Sequence, residues 1–274
     1  MAITTLSGAL VGMQPLWYYF KNSPVSSQQI GKTYTYWAAT GFPGQGVYNN
    51  SLNGLTYSST GGLVAGQIPH FDPVTGNSYL SRFQGQIQAA AGGGVIFLCD
   101  RIWDNGNIVI TSTSLQGITT TTWPNRDANG TSAGAGILLG VEVSAATGAG
   151  TPTITMGYTN SAGTGSRTGT NVEATLASSG TATFYRIGLQ AGDIGVQSVQ
   201  SITLSATWTS GTINCVAYRV LAALEVPSIG QSFAVDAFTG GMPQLFAGTV
   251  PYIMYLAGGT NLVSIAGQYG ETQG

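Results

Sequence analysis

The sequence predicts an all-β protein: a β-sandwich or jelly-roll-like body with an extended N-terminal arm and a loop-rich C-terminal segment. Three observations lead there. First, apolar and small polar residues alternate with period two, the pattern of a half-buried strand. Within 200–208, Ile202, Leu204, Ala206 and Trp208 share one face, and Ser201, Thr203, Ser205 and Thr207 take the other. Second, turns of Gly, Ser and Thr separate such stretches at intervals of about 8–12 residues, as in sandwiches and barrels. Third, strand and helix patterns do not alternate, which argues against a parallel α/β sheet.

The elements follow in order. Ala2–Met13 reads as one short helix, with Ile3, Leu6 and Leu10 at helical spacing, ended by Gln14-Pro15. Leu16, Trp17, Tyr18, Tyr19 and Phe20 come next. Five large apolar side chains near a terminus either pack on their own body or dock on a neighbouring subunit. The second reading makes residues 1–40 a docking arm and these five its candidate interface residues, with Trp17 and Tyr18 as favoured anchors. Residues 41–226 then form the sandwich body, and 227–274 an extension packing on that body or on a neighbour. Ser23-Pro24 starts a helical turn. Tyr34–Trp37 is a short aromatic strand, and Thr40–Gly66 an extended loop. Further strands are expected over Leu80–Gln88, Val95–Asp100, Asn107–Ser112, Ile118–Trp123, Ile137–Ser144, Thr153–Thr159, Val172–Leu176, Thr181–Leu189, Gln200–Trp208 and Thr212–Leu221. The last is apolar on both faces, as a central strand should be. Tyr252–Leu256 reads as an edge strand.

Composition narrows the function. Of 274 residues only 7 % are charged, 8 basic against 10 acidic, while 43 % are apolar. About 25 % charge is ordinary. Eight scattered basic residues give no footprint for nucleic acid. No apolar run reaches the roughly 18 residues that span a bilayer, and Met1–Leu10 lacks the basic start of a secretory signal. Solubility normally rests on mixed surface charge, so a chain this neutral is expected to be covered within an assembly.

Candidate chemistry is sparse. Cys99 and Cys215 lie outside any CxxC or CxxH pattern and read as buried thiols. His70 is the one histidine, too few for a multi-imidazole zinc site. It sits between Pro69 and Pro73, with no G-x-S-x-G to provide a nucleophile, and reads as a hydrogen-bonded loop residue. Asp100 and Asp104 are four apart. On a regular strand they share a face at about 13 Å, too far for a glycosidase pair. An Asp100–Arg101 or Asp104–Asn107 turn network is the plainer expectation. Asn125–Gly130 resembles the opening of a calcium loop, but Asn replaces the leading Asp and Gly136 stands where a bidentate Glu belongs. The Gly92–Gly94 run lacks the Lys-Ser/Thr of a phosphate loop. The residues therefore predict no catalytic centre, no metal and no cofactor.

Several strings resemble a family of tailed-bacteriophage virion proteins. They are YLSRF at 79–83, LCDRIWDNG at 98–106, TTTTWPNRD at 119–127 and GVEVSAATGAGTPTITMGYTNSAGTGSRTG at 140–169. LQAGDIGVQSVQSITLSATWTSG at 189–211 and VAYRVLAALEVP at 216–227 complete the set, so the resemblance spans roughly residues 15–250. It implies a structural head protein located in the virion, assembled in the host cytoplasm, with no attributed catalytic residues. A capsid decoration (cement) protein fits best, since no long spine helix is visible. Its expected partners are the major capsid protein or other virion proteins and further copies of itself, as a dimer or trimer, with neither nucleic acid nor membrane. The alternative is a glycan- or receptor-binding appendage using Tyr48, Tyr57, Trp103 and Trp123 as sugar platforms. A glycan hydrolase using Asp100, Asp104 or Asp127 ranks third.

Overall fold

The computed structural model describes residues 5–60, 62–70, 76–88, 92–237, 239–241 and 243–274. Among them the chain forms one short helix and 17 strands. The helix, α1 (Leu6–Val11), is shorter than expected and is capped by Thr5, whose side chain accepts from the Gly8 amide. The strands are β1 (Trp17–Lys21), β2 (Thr33–Thr35), β3 (Gly41–Phe42), β4 (Leu55–Thr56), β5 (Ser78–Gln88), β6 (Gly94–Asn105), β7 (Gln116–Gly117), β8 (Ile137–Ala145) and β9 (Ile154–Asn160). They continue as β10 (Arg167–Asn171), β11 (Thr183–Gly188), β12 (Val196–Leu204), β13 (Thr212–Val226), β14 (Phe233–Asp236), β15 (Gln244–Leu245), β16 (Pro251–Ala257) and β17 (Ser264–Gln273). The chain is all-β, as the alternation predicts.

One sheet runs β14-β5-β17-β1-β3, with β15 also on β5. The other runs β2-β16-β6-β13-β8-β11-β10-β9-β12-β7, and an added pairing of β2 with β11 turns six of its strands into a closed ring. The ring β2–β16–β6–β13–β8–β11 is an antiparallel barrel, a closure that leaves those strands without an edge. Strand β13 is the longest at 15 residues and lies between β6 and β8, the central position its two-sided apolarity predicts.

Three apolar clusters result. Ile154, Met156, Tyr158, Ile202 and Leu204 pack with Val141, Val143 and Ile213 between the barrel and the β9–β12 extension. Leu80, Phe83, Ile87, Ile265 and Tyr269 pack with Ile96, Leu98, Leu224 and Tyr255 between barrel and smaller sheet, a sandwich contact. The third, with Trp37, Cys99, Phe184, Tyr218, Tyr252 and Met254, fills the barrel end where the charged residues meet.

Several expected elements differ. Asn107–Ser112 is irregular, and Ile118–Trp123 carries only an isolated bridge at Thr119 after β7. Ile108, Ile110, Ile118 and Trp123 are nevertheless buried, so these apolar side chains plug the core from loops. Val172–Leu176 leaves the sheet after β10, where the Glu173 carboxylate turns to the Arg186 side chain at 2.5 Å. Tyr252–Leu256 is no edge: β16 sits between β2 and β6 inside the ring. Residues 1–40 contribute β1 and β2 and residues 227–274 contribute β14–β17, and β1 pairs directly with β17 from Trp17↔Tyr269 to Lys21↔Ile265. Residues 2–4 of the expected helix lie outside the described residues.

Candidate functional site

The few charges of this chain are mostly inside it. Of the 17 charged residues among those described, ten are buried: Lys21, Asp100, Arg101, Asp104, Arg126, Asp127, Glu142, Glu173, Arg219 and Glu271. Buried charges persist only when paired and hydrogen-bonded.

Arg101 on β6 is the hub. Its Nη2 donates to Asp104 Oδ2 at 2.8 Å and to Glu142 Oε2 at 2.7 Å. Tyr57 donates its hydroxyl to the same Asp104 oxygen at 2.8 Å. The guanidinium carbon lies 4.6 Å from the centre of the Trp37 ring, 5.2 Å from Tyr57 and 5.7 Å from Tyr252. An aromatic cage of this kind stabilises a desolvated cation. Burial by itself lowers the Arg101 pKa, but Glu142 and Asp104 outweigh it and hold it well above the usual arginine value.

A second group adjoins the first. Asp100 Oδ1 accepts the Val250 amide at 2.8 Å, and Oδ2 lies 3.2 Å from Arg126 Nε. Arg126 also donates to the carbonyls of Arg101, at 3.1 Å, and Gly248. Arg219 donates to the Gln244 carbonyl at 3.0 Å and faces the Phe246 ring, and burial lowers its pKa. Neither the Asp100–Arg101 nor the Asp104–Asn107 pairing forms. Adjacent strand residues point to opposite faces, so Asp100 turns to Arg126 and Arg101 to Asp104. Nor do Asp100 and Asp104 share a face as expected. Tyr218 pairs with Arg101 and Ala217 with Trp103, which leaves Ile102 as the extra residue of a bulge. The two carboxylates thus serve separate groups, with both residues fully enclosed.

Asp127 has no vacancy for a metal. Its oxygens accept the amides of Asn129, Thr131, Gly134 and Ala135 and the Thr131 hydroxyl. Burial pushes its pKa up, but these hydrogen bonds prevail and hold it below the usual range. The Asn125–Gly130 string is a turn pinned by one carboxylate. Among the described residues no group of three or more His, Cys, Asp and Glu is placed to hold a metal.

His70 Nε2 lies 2.8 Å from Ser59 Oγ, a pairing the sequence did not suggest. The Ser59 hydroxyl also donates to the Thr249 carbonyl at 2.9 Å, and both residues are buried. Asp72 and Pro73 beyond it, and Ala89–Ala91, lie outside the described residues. Cys99 and Cys215 are both free and buried, and burial raises both thiol pKa values.

The aromatic residues named as sugar platforms are interior. Trp103, Trp123 and Tyr57 are buried and Tyr48 is half-buried, so none offers an exposed ring face. Of the five candidate interface residues, Tyr19 is buried, stacks on Phe83 at 6.1 Å and donates to the Gln84 carbonyl. Trp17 packs against the same core, and Leu16 is half-buried. Tyr18 and Phe20 alternate to the outer side and are exposed at 60 % and 37 %. Sequence reasoning assigned no role to Glu142, Arg126 or Arg219. The available signal was a lone charge inside an apolar strand, as Glu142 is within Ile137–Ala145.

No protein-family profile and no curated protein matches the chain. Among solved structures it aligns with T=1 particles derived from infectious bursal virus at 9 % identity, over 96 % of this chain and 79 % of that one, with a TM-score of 0.17. The VP2 subviral particle of infectious bursal disease virus aligns at 9 % identity, over 95 % and 81 %, with a TM-score of 0.17. Alignments at these TM-scores do not establish a common fold.

Proposed function

We propose that this chain is a non-enzymatic structural protein of a virion, most specifically a capsid decoration protein that bridges capsomers. One observation carries the reading: the charges are turned inward while apolar side chains are left outside. Leu6, Leu10, Val11 and Met13 around α1, Tyr18 and Phe20 on β1, and Phe42 on β3 are all exposed. A surface poor in charge and studded with apolar groups suits a protein covered by neighbours. The enclosed charge network offers no acid–base pair to a substrate, in keeping with a mechanical role. Binding only to the assembled shell would stabilise that shell by linkage. The resemblance of the 79–83, 98–106 and 140–169 strings to tailed-phage head proteins agrees with this. The glycan-binding alternative loses its named platforms to the core and is not advanced.

The test is electron cryomicroscopy of the virion that carries this chain. Hundreds of copies over the shell, contacting capsomers through the α1–β1–β3 region, would support decoration. A few copies at a vertex or tail would overturn it.

A further inference from the structure

The hub around Arg101 is not electrically closed. Its members are one guanidinium and two carboxyl groups, so the formal charges of Arg101, Asp104 and Glu142 leave one negative charge in a fully enclosed place. One oxygen of each carboxyl group is engaged. The other, Asp104 Oδ1 or Glu142 Oε1, is buried and receives no hydrogen bond from the protein. Asn214 Oδ1 is in the same condition: buried and without a donor. Its amide nitrogen is used at 2.6 Å on the Asn49 carbonyl, which fixes the amide orientation with the oxygen turned away.

These three oxygens belong together. Asn214 on β13 pairs directly with Glu142 on β8, and Val216, two residues on, pairs with Asp104 on β6. Positions 214 and 216 share a face, so all three side chains project to one side of three adjacent strands. Asp104 and Glu142 further converge on the same Arg101 nitrogen. The Tyr48 hydroxyl, also buried and without a partner, lies within electrostatic reach of Glu142 and Arg101.

We propose that Asp104 Oδ1, Glu142 Oε1 and Asn214 Oδ1 hold one hard cation inside the barrel end, opposite the aromatic cage of Arg101. The donors are all oxygens, two of them carboxylate and one amide, which is the ligand chemistry of calcium- and sodium-type ions. Magnesium suits the site poorly, because it sheds its water reluctantly and this place is closed to solvent. With two carboxylates and an amide, the site differs from clusters built on three acidic, histidine or cysteine groups. Its role is structural: it neutralises the residual charge and ties β6, β8 and β13 together where the bulge interrupts their pairing. It is independent of the virion reading.

Because the site is enclosed, the ion enters with folding. The full chain is unfolded in guanidinium with EDTA and refolded in choline chloride at fixed ionic strength. Calcium chloride or sodium chloride replaces part of the choline, and thermal midpoints are compared. One of the two salts should raise the midpoint saturably, by about 5 °C at one hundred times its dissociation constant. Glu142→Gln should abolish the rise, and Glu225→Gln, an exposed acid elsewhere on β13, should leave it intact. If Glu142→Gln does not refold, Asn214→Ala replaces it. Calcium response and sodium response each support the site and identify the ion. A midpoint indifferent to both, in a refolded protein free of calcium by elemental analysis, overturns it and leaves the network closed by a proton or by water.

Discussion

Arg101 and Asp104 stand three positions apart on one strand, yet their side chains meet at 2.8 Å on the same side. On a regular strand residues i and i+3 face opposite ways. The bulge at Ile102 removes one step of the alternation and brings them together, with Glu142 reaching the same nitrogen from the neighbouring strand. The charge hub exists because of that one extra residue.

Arg101→Met should therefore be among the most damaging substitutions in the chain. It leaves two buried acidic groups without their cation, a change that costs about 3–5 kcal/mol. Urea unfolding should show a large drop in midpoint. A loss under about 1 kcal/mol, the scale of an exposed ion pair, would mean that water already reaches the hub.

Close packing inside the barrel predicts a second effect. A Cβ at Gly140 would lie 2.1 Å from the Phe184 Cζ atom. Gly140→Ala should cost about 1–3 kcal/mol through overpacking. Phe184→Leu in the same chain should recover part of it. Additive losses in the double variant would show that the two residues do not compete for space.

The thiols give a quick check of the interior. Burial raises the pKa of both Cys99 and Cys215, and the thiolate is the reactive form. Neither should react with iodoacetamide in the native protein near neutral pH, and both should react in guanidinium. Native labelling of Cys99 would place it outside the core assigned to it.

Stability should fall on the alkaline side, with Lys21 opposing the fall. Burial lowers the Lys21 pKa to about 8, while its ammonium is held by the carbonyls of Ala39, Pro43 and Gly44. Between about 8 and the unfolded lysine value near 10.4, this one group binds more protons in the unfolded chain, which by itself raises stability with pH. The opposite sign applies to the buried thiols and tyrosines: Cys99 and Cys215, both raised by burial, ionise first in the unfolded chain above about pH 8.5. Tyr19, Tyr36 and Tyr218 have pKa values raised by burial, so their unfolded forms ionise first above about pH 10 and stability falls. Two thiols outweigh one lysine, so unfolding midpoints should fall from about pH 8.5 upward. Lys21→Met should steepen the fall between about pH 8 and 10.

The strand β1 divides its residues between two tasks. Tyr18→Ser with Phe20→Ser should change the stability of the isolated chain by no more than about 0.5 kcal/mol, the usual range at exposed positions. On the proposed decoration role, binding to capsids should be lost. Tyr19→Ala should cost about 3–5 kcal/mol. If the outward pair proves as costly as Tyr19, that face is covered by the chain itself.

The strands with regular alternation were legible in the sequence. β9 buries Ile154, Met156 and Tyr158, and β12 buries Ile202 and Leu204, as period two requires. β12 stops at Leu204, however, and Ala206 is exposed, because the chain turns before Trp208 enters the core from a loop. β17 was not legible. Its Gly267, Gly270 and glutamines dilute the apolar signal, leaving Ile265 and Tyr269 as its inward markers. Barrel closure was invisible, because it rests on three-residue β2 pairing with segments far along the chain. The charge hub was hidden for a different reason. A bulge breaks the periodicity that would place Asp104 beside Arg101, and Glu142 lies 41 residues away.

The pairing of β1 with β17 has a consequence for the order of synthesis. A ribosome must add 252 residues after Trp17 before its partner, Tyr269, exists. β2 likewise waits for Met254, Tyr255 and Leu256. Until then the nascent chain carries open strand edges that no local contact can cover, and long-range pairing of this kind folds slowly. The sheet that bears Tyr18 and Phe20 is therefore completed only once β17 has been made.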